Sequence, residues 1–145
     1  MTMNELIAKD QIITVLNKYA QMCDRRDWAL GDEVFAADVQ GNYGGAFQIK
    51  SRDKLVLLIR SMLGGCGPTQ HLLGNYFITV NGSTASSRCY VRAAHAGTGD
   101  LKHSLYEVWG EYKDKLALMD GAWKITYREL WIYHEIGSRD LLKPE

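Results

Sequence analysis

The sequence predicts an α+β fold in which N-terminal helices cover one face of an antiparallel sheet. Apolar residues recur at helical spacing in the first part of the chain, whereas the residues after Pro68 are patterned as strands. Two hairpin signals, Asn81-Gly82 and Asp120-Gly121, divide that second part. A sheet with one apolar face needs a covering layer, so the helices are expected to pack on it. Residues 1–145 are assigned to a single domain, which is long enough to bury a substantial core.

The first helix is expected to begin after Thr2 and to end near Arg26. Thr2 and Glu5 have the spacing of a capping box, in which each side chain accepts a hydrogen bond from the backbone N–H of the other. Apolar residues then follow at helical intervals, which predicts one buried face. That face carries Ile12, Val15, Leu16, Tyr19 and Ala20.

Two shorter helices and a turn-rich segment are expected before the strands. One short helix spans residues 28–35, and Ser51 begins another that the glycine-rich run 64–68 ends. Between them, glycines at positions 41, 44 and 45 predict a hairpin-like segment around Tyr43.

The remaining chain is expected to form strands over residues 70–80, 84–94, 103–118 and 123–134. Successive side chains of a strand point to opposite faces, so His71, Asn75 and Phe77 are expected in one cavity on the helix-covered face. In the last strand the same rule places Trp123, Ile125, Tyr127, Glu129, Trp131 and Tyr133 on one face. The opposite face then carries Lys124, Thr126, Arg128, Leu130 and Ile132.

The aromatic density of these strands suits either a ligand pocket or a subunit interface. On the outer face, aromatic and aliphatic side chains mixed with charges of both signs favour a subunit contact. The residues expected there are Tyr90, Trp109, Leu130 and Ile132, with Arg88, Arg92, Glu107, Glu111 and Arg128. We therefore expect a homo-oligomer.

Charge and cysteine content narrow the classes of function. Seventeen basic side chains balance seventeen acidic ones without forming a basic stripe, so nucleic-acid binding is not expected. No segment approaches the ~20 apolar residues of a membrane span. Cys23, Cys66 and Cys89 lack paired spacing and are expected to be reduced thiols. Residues 1–9 lack the features of a signal peptide, and a cytoplasmic location is expected.

Asp24 and His71 form the candidate chemical pair. Asp24 ends the first helix and His71 opens a strand, each at a place where the local pattern buries apolar groups. A carboxylate that orients an imidazole in a dry cavity makes a general base. The alternative is a solvent-exposed helix-end carboxylate beside a core histidine. His95, His103 and His134 lack metal-ligand spacing, so no metal or other cofactor is expected.

The order of elements and several short motifs resemble the SnoaL-like proteins of the nuclear transport factor 2-like superfamily. The similarity rests on Tyr19 and Asp24, on Gln70-His71 at a strand start, and on the segments 110–114 and 120–125. It implies a cone-shaped barrel in which a curved sheet wraps around the N-terminal helices and encloses a deep pocket. Enzymes of this superfamily include scytalone dehydratase, bile acid 7α-dehydratase, hexachlorocyclohexane dehydrochlorinase and steroid isomerases, and it also has non-catalytic members.

The resemblance implies roles for individual residues. In dehydratase and dehydrochlorinase members, an aspartate at the end of the first helix orients a histidine on a later strand, as Asp24 and His71 would. Tyr19 replaces a lysine of the dehydrochlorinase, as in bile acid dehydratase, and is expected to donate a hydrogen bond to a substrate oxygen. No counterpart is found for the arginine that assists chloride departure, which argues against halide elimination. The residues expected to line the substrate pocket are Trp28, Tyr43, Asn75 and Phe77.

Two classes of function follow. The first is a cofactor-independent lyase or isomerase that acts on an apolar cyclic or aromatic small molecule, with His71 as base, Asp24 as its orienting partner and Tyr19 or Tyr43 polarising the substrate oxygen. The second is a non-catalytic ligand-binding or assembly module, like the small subunit of a ring-hydroxylating dioxygenase. By the same resemblance, the homo-oligomer is expected to be a trimer, with a dimer as the alternative.

Overall fold

The structure is a computed structural model that describes residues 1–45 and 47–145. Within those residues the α-helices are α1 (Met3–Arg25), α2 (Gly31–Val34) and α3 (Arg52–Leu63). The strands are β1 (Phe35–Tyr43), β2 (Phe47–Lys50), β3 (Thr69–Asn81), β4 (Thr84–Ala96), β5 (Leu105–Met119) and β6 (Ala122–Gly137). Short 3-10 helices cover Trp28–Leu30, Gly99–Leu101 and Arg139–Leu141.

The strands form one open sheet in the order β2-β1-β6-β5-β4-β3. α1 packs against β3 and α3 packs against β1, so the helices cover one face of the sheet. The predicted α+β class with a helix-covered sheet is confirmed. The sheet is mixed rather than purely antiparallel, because β1 runs parallel to β6. The predicted short helix over residues 28–35 is a 3-10 helix followed by α2, and Phe35 already belongs to β1.

α1 forms as its sequence predicts. Thr2 Oγ1 accepts a hydrogen bond from the Glu5 amide at 3.1 Å, and a Glu5 carboxylate oxygen accepts one from the Thr2 amide at 2.7 Å. The predicted inward residues of the helix are buried. Burying each large apolar side chain of this face contributes roughly 1.5–3 kcal/mol, which holds the helix on the sheet. The helix ends at Arg26, whose backbone is left-handed with φ 55°.

A β-bulge in β3 changes which face its side chains occupy. The pairing of β3 with β4 shifts between Gly74 and Phe77, and Asn75 lies in the bulge with φ 53°. One extra residue in a strand reverses the alternation beyond it. Asn75 is therefore exposed, and the Phe77 ring lies outside, 4.5 Å from the Arg88 guanidinium carbon. The prediction that these two residues share the cavity with His71 is wrong.

A second bulge in β6 has the same effect. Its pairing with β5 shifts between Ile125 and Tyr127. Trp123 and Ile125 remain buried, whereas Trp131 and Tyr133 are 49% and 57% exposed. The prediction that one face runs unbroken from Trp123 to Tyr133 is wrong for this reason. The side chains that turn inward instead are Arg128, Leu130 and Ile132.

Arg128 is fully buried and forms a bidentate ion pair with Asp114. Both hydrogen bonds measure 2.7 Å, and neither side chain is exposed. The guanidinium carbon also lies 4.2 Å from the Tyr19 ring centroid and 4.0 Å from that of Tyr112. These cation–π contacts and the carboxylate compensate part of the cost of burying the charge. Among the described residues, Arg128 Nη1 has no hydrogen-bond partner.

Replacing Asp114 with alanine is expected to lower the free energy of unfolding by about 3–5 kcal/mol, because the Arg128 charge would remain buried without its partner. Urea denaturation of the purified variant measures this loss. The matched control is Glu33→Ala, which breaks the exposed pair between Lys18 and Glu33 at 3.2 Å. That change should cost no more than about 1 kcal/mol. Equal losses of unfolding free energy in the two variants would contradict the conclusion that Asp114 compensates a buried charge on Arg128.

Candidate active site

A cavity of about 140 Å³ lies between the helices and the sheet. Most of its lining is apolar and comes from α3, β4, β5 and β6, including Ile59, Val91, Val108, Leu130 and Ile132. The polar side chains that reach it are Tyr19, Tyr43, His71, His95, Tyr106, Tyr112 and Arg139. A mostly apolar cavity with a few convergent polar groups is typical of small-molecule sites.

Asp24 and His71 meet where the last turn of α1 approaches the start of β3. His71 Nδ1 lies 2.7 Å from Asp24 Oδ1, and the His71 backbone N–H donates to Asp24 Oδ2 at 2.8 Å. The hydroxyl of Thr69 donates to Asp24 Oδ1 at 2.9 Å. The His71 side chain is only 5% exposed and the Asp24 side chain 23% exposed. The structure therefore brings the two predicted residues into direct contact.

The protonation of the pair follows from its hydrogen bonds. Burial raises the pKa of the Asp24 carboxyl, but the hydrogen bonds from His71 and Thr69 outweigh burial and hold the pKa below its ordinary value. An ionised carboxylate only accepts hydrogen bonds, so Nδ1 must carry the proton that it donates to Asp24. In the neutral ring, Nε2 then has a free lone pair, as a general base requires.

Two buried tyrosines supply the donors of the site. The hydroxyl oxygens of Tyr19 and Tyr43 lie 2.7 Å apart. Burial raises the pKa of both phenols above their ordinary value, so both keep their protons. One hydroxyl donates to the other, which leaves the second O–H free for another acceptor. The Tyr19 ring centroid is 6.4 Å from that of His71, so the donors and the imidazole share one cavity.

His95 is a second imidazole of the cavity, and it is not among the residues expected there from the sequence. It is 5% exposed, and its ring centroid lies 5.6 Å from that of His71 in an edge-to-face contact. Its Nδ1–H donates to the Tyr106 carbonyl oxygen at 2.9 Å. Burial lowers the pKa of His95 to about 4, so the ring is neutral near pH 7. Strand alternation in β4 could have predicted this position, because it places His95 on the same inward face as Val91 and Ala93.

Trp28 lies outside the cavity, contrary to the prediction that it binds substrate. Its Nε1–H donates to a carboxylate oxygen of Glu145 at 3.3 Å, because the 3-10 helix turns the indole toward the C-terminal segment. That segment itself forms part of the cavity wall through Arg139 and Leu142. The backbone N–H of Lys143 donates to the Met62 carbonyl at 2.9 Å and fixes the segment to the end of α3.

The predicted place of Arg128 on the outer face of the sheet is wrong. Arg128 belongs to the core behind Tyr19 rather than to the outer face.

Among the described residues, no three His, Cys, Asp or Glu side chains are grouped as metal ligands. None of the described helices is long and apolar enough to cross a membrane.

His95 is expected to make the protein less stable in acid. Its pKa is 6.5 ordinarily and about 4 in the fold, so the unfolded chain binds its proton more readily. The stability that the neutral ring contributes is complete above about pH 6.5 and declines as the pH falls toward 4, by on the order of 2–3 kcal/mol. Urea unfolding of the wild type and of His95→Gln at pH 7 and pH 4.5 measures the difference. Equal pH dependence in the two proteins would contradict it.

Comparison with known proteins agrees with this architecture. A family model described as the SnoaL-like domain matches residues 4–129. The uncharacterised protein Rv2910c of Mycobacterium tuberculosis H37Rv is 28% identical over 130 residues, which cover 88% of this chain and 87% of that protein.

Two solved structures share the fold. A Novosphingobium aromaticivorans protein, provisionally named a scytalone dehydratase, superposes with a TM-score of 0.83 at 24% identity and covers 99% of this chain and 96% of its own. The hexachlorocyclohexane dehydrochlorinase LinA-type3 of Novosphingobium barchaimii superposes with a TM-score of 0.80 at 12% identity, covering 92% of each chain. At these identities the two likenesses establish the fold alone. Since the family model spans most of the sequence, the chain belongs to the SnoaL-like family and has the nuclear transport factor 2-like fold.

Proposed function

We propose that this protein is a cofactor-independent lyase or isomerase that acts on an apolar cyclic or aromatic small molecule. The observation that carries the proposal is the ionised Asp24 carboxylate, 2.7 Å from Nδ1 of a nearly buried histidine that lines an apolar cavity. General bases of this kind remove a proton from carbon next to a carbonyl or phenol.

His71 is the base of the proposed reaction. Nε2 takes a proton from a substrate carbon, and the C–H electron pair forms a new carbon–carbon double bond as a neighbouring hydroxyl leaves with its own bonding pair. Asp24 stabilises the imidazolium that forms and keeps Nδ1 protonated throughout. The imidazolium then returns its proton to the departing oxygen, which leaves as water. In an isomerisation, the same proton returns to a different carbon.

Tyr19 and Tyr43 stabilise the charge that develops on the substrate oxygen. Their hydroxyl groups are paired at 2.7 Å, and burial keeps both protonated. The free O–H of the pair donates a hydrogen bond to a carbonyl or leaving hydroxyl oxygen. The pair is held on α1 and β1, two packed elements, so the donor is fixed before substrate binds.

The substrate class follows from the walls of the cavity. Val91, Val108, Leu130 and Ile132 offer no hydrogen-bonding groups, and they favour a flat apolar ring system over a sugar or a nucleotide. The two structural relatives support an elimination reaction, since one is provisionally named a dehydratase and the other a dehydrochlorinase. An apolar lining also excludes water, which strengthens the electrostatic contacts to the reacting atoms.

We also propose that the protein assembles as a homo-oligomer through the outer face of the sheet, with a trimer favoured by the resemblance. Of the aromatic side chains on that face, Tyr90 is 47%, Trp109 39% and Trp131 49% exposed, and Arg92 and Lys113 lie over the two indole rings. Leu130, Ile132 and Arg128 face inward and are removed from the predicted contact.

Light scattering at micromolar concentration should give a multiple of the 16.4 kDa chain mass. Trp131→Glu is expected to lower that mass, because it replaces a large aromatic side chain of the contact with a charged group that would have to lose its hydration. A single 16.4 kDa species for the unchanged protein would contradict the proposed assembly.

His71→Ala and Asp24→Asn are each expected to lower kcat by roughly 10²–10⁴-fold, because general-base catalysis contributes that much. The losses should not add in the double variant, since each residue acts through the other. A panel of cyclic β-hydroxy ketones and phenolic alcohols, followed by ultraviolet absorbance of the conjugated product, measures turnover. The matched control is His103→Ala, since His103 is exposed and lies outside the cavity.

Two results would contradict the proposal. The first is a substrate of this panel that His71→Ala converts as fast as the unchanged protein does. The second is tight binding of panel members without turnover in any form, which would identify a ligand-binding module instead.

A further inference from the structure

We propose that Arg26 and Thr69 are positioning residues that fix the Asp24 carboxylate against His71. The inference rests on the proposed function, because it assigns these two residues to the same site. Neither touches the cavity, so both act through Asp24. Arg26 follows α1 and Thr69 begins β3, and these are the two segments that carry Asp24 and His71.

Arg26 occupies a backbone conformation that is unusual for its residue type. It closes α1 in the left-handed region, with φ 55° and ψ 30°. Glycine or asparagine is the usual residue at such a position, because a side chain crowds the backbone there. The guanidinium makes contacts that neither of those residues could make, which gives a physical reason for an arginine at this position.

Three hydrogen bonds tie this guanidinium across the site. Nη1 donates to the Cys23 carbonyl at 2.7 Å and to Thr69 Oγ1 at 2.8 Å. Nη2 donates to the Gly67 carbonyl at 2.7 Å. The end of α1 and the chain leading into β3 are therefore fastened by one side chain.

The direction of each hydrogen bond follows from the donors. A guanidinium only donates, so Thr69 Oγ1 accepts from Arg26 and is free to direct its own proton elsewhere. That proton points to Asp24 Oδ1, 2.9 Å away. The carboxylate thus accepts from the Thr69 hydroxyl, the His71 backbone N–H and the His71 Nδ1–H. With both oxygens occupied, the carboxylate is held in the orientation that keeps Nδ1 protonated.

The charged and titratable groups near Asp24 come from three elements. His71 of β3 contacts it directly, and Arg26 after α1 acts through Thr69. His95 of β4 lies against the His71 ring. Burial, together with the nearby Asp24 charge, raises the pKa of the Cys23 thiol of α1. Removing the Thr69 hydroxyl would leave these groups in place and delete one hydrogen bond to the ionised form. If Thr69 had no role at the site, replacing it would leave the titration of Asp24 unchanged.

The test is the titration of the Asp24 carboxyl carbon by ¹³C NMR in the protein without substrate. Thr69→Val keeps the shape of the side chain but removes the donor, and it should weaken the acidity of Asp24 by about tenfold, which raises the midpoint by about one pH unit. Arg26→Gln should shift the midpoint in the same direction. Thr69→Ser restores a hydroxyl and should titrate as the unchanged protein does. Arg25→Gln, which removes the neighbouring exposed arginine, is the charge control and should also leave the midpoint unchanged.

An Asp24 midpoint in Thr69→Val equal to that of the unchanged protein would overturn the proposal. The pair Thr69→Val and Thr69→Ser decides the question even if Arg26→Gln fails to fold, which circular dichroism would show. Where a substrate is turned over, Thr69→Val should lower kcat more than it raises KM, and Thr69→Ser should restore kcat. A shifted midpoint in a protein that turns over nothing would support the positioning role and count against the proposed function alone.

Discussion

An ionised carboxylate inside a protein is tolerated only when donors surround it, and Asp24 finds its donors within residues 69–71. This requirement joins the end of α1 to the start of β3. The same contacts orient the His71 ring and decide which of its nitrogens is free. The junction between α1 and β3 and the proposed chemistry thus depend on one small set of hydrogen bonds.

The other buried polar groups serve different purposes. Asp114 and Arg128 neutralise each other, and Arg128 stacks on Tyr19 and Tyr112 in the core. Although Arg128 favours ionisation of Tyr19, burial outweighs it and raises the pKa of that phenol. His95 stays neutral and presents a second imidazole beside the first. Besides Arg139, the cavity therefore combines the His71 imidazole, protonated phenols and the neutral His95 ring, a set of groups that can donate and accept protons.

Local patterns in the sequence predict part of this structure well. The capping box at Thr2 and the apolar spacing of α1 depend only on neighbours in the chain, and both form as expected. The contact between Asp24 and His71 could be predicted from their places at the end of a helix and the start of a strand, supported by the family resemblance. Residue identity alone could not show that Thr69 and Arg26 would hold the Asp24–His71 pair in place.

Strand alternation failed where the register shifted. The bulges near Asn75 and in β6 each insert one residue, which turned Phe77 outward and Arg128 inward. The β3 bulge follows Gly74, and a glycine inside a strand pattern is a signal for a bulge, whereas the β6 bulge between Ile125 and Tyr127 has no glycine or proline beside it. The parallel pairing of β1 with β6 joins segments far apart in sequence, which no local pattern reveals.

The tautomer of His71 tests the central claim most directly. ¹⁵N-edited NMR that correlates the ring nitrogens with the carbon-bound ring protons identifies which nitrogen is protonated in the neutral imidazole. The account predicts a proton on Nδ1 and a bare Nε2 in the unchanged protein, because Asp24 accepts the Nδ1 hydrogen bond. A neutral ring with its proton on Nε2 would contradict it, since no lone pair would then face the substrate.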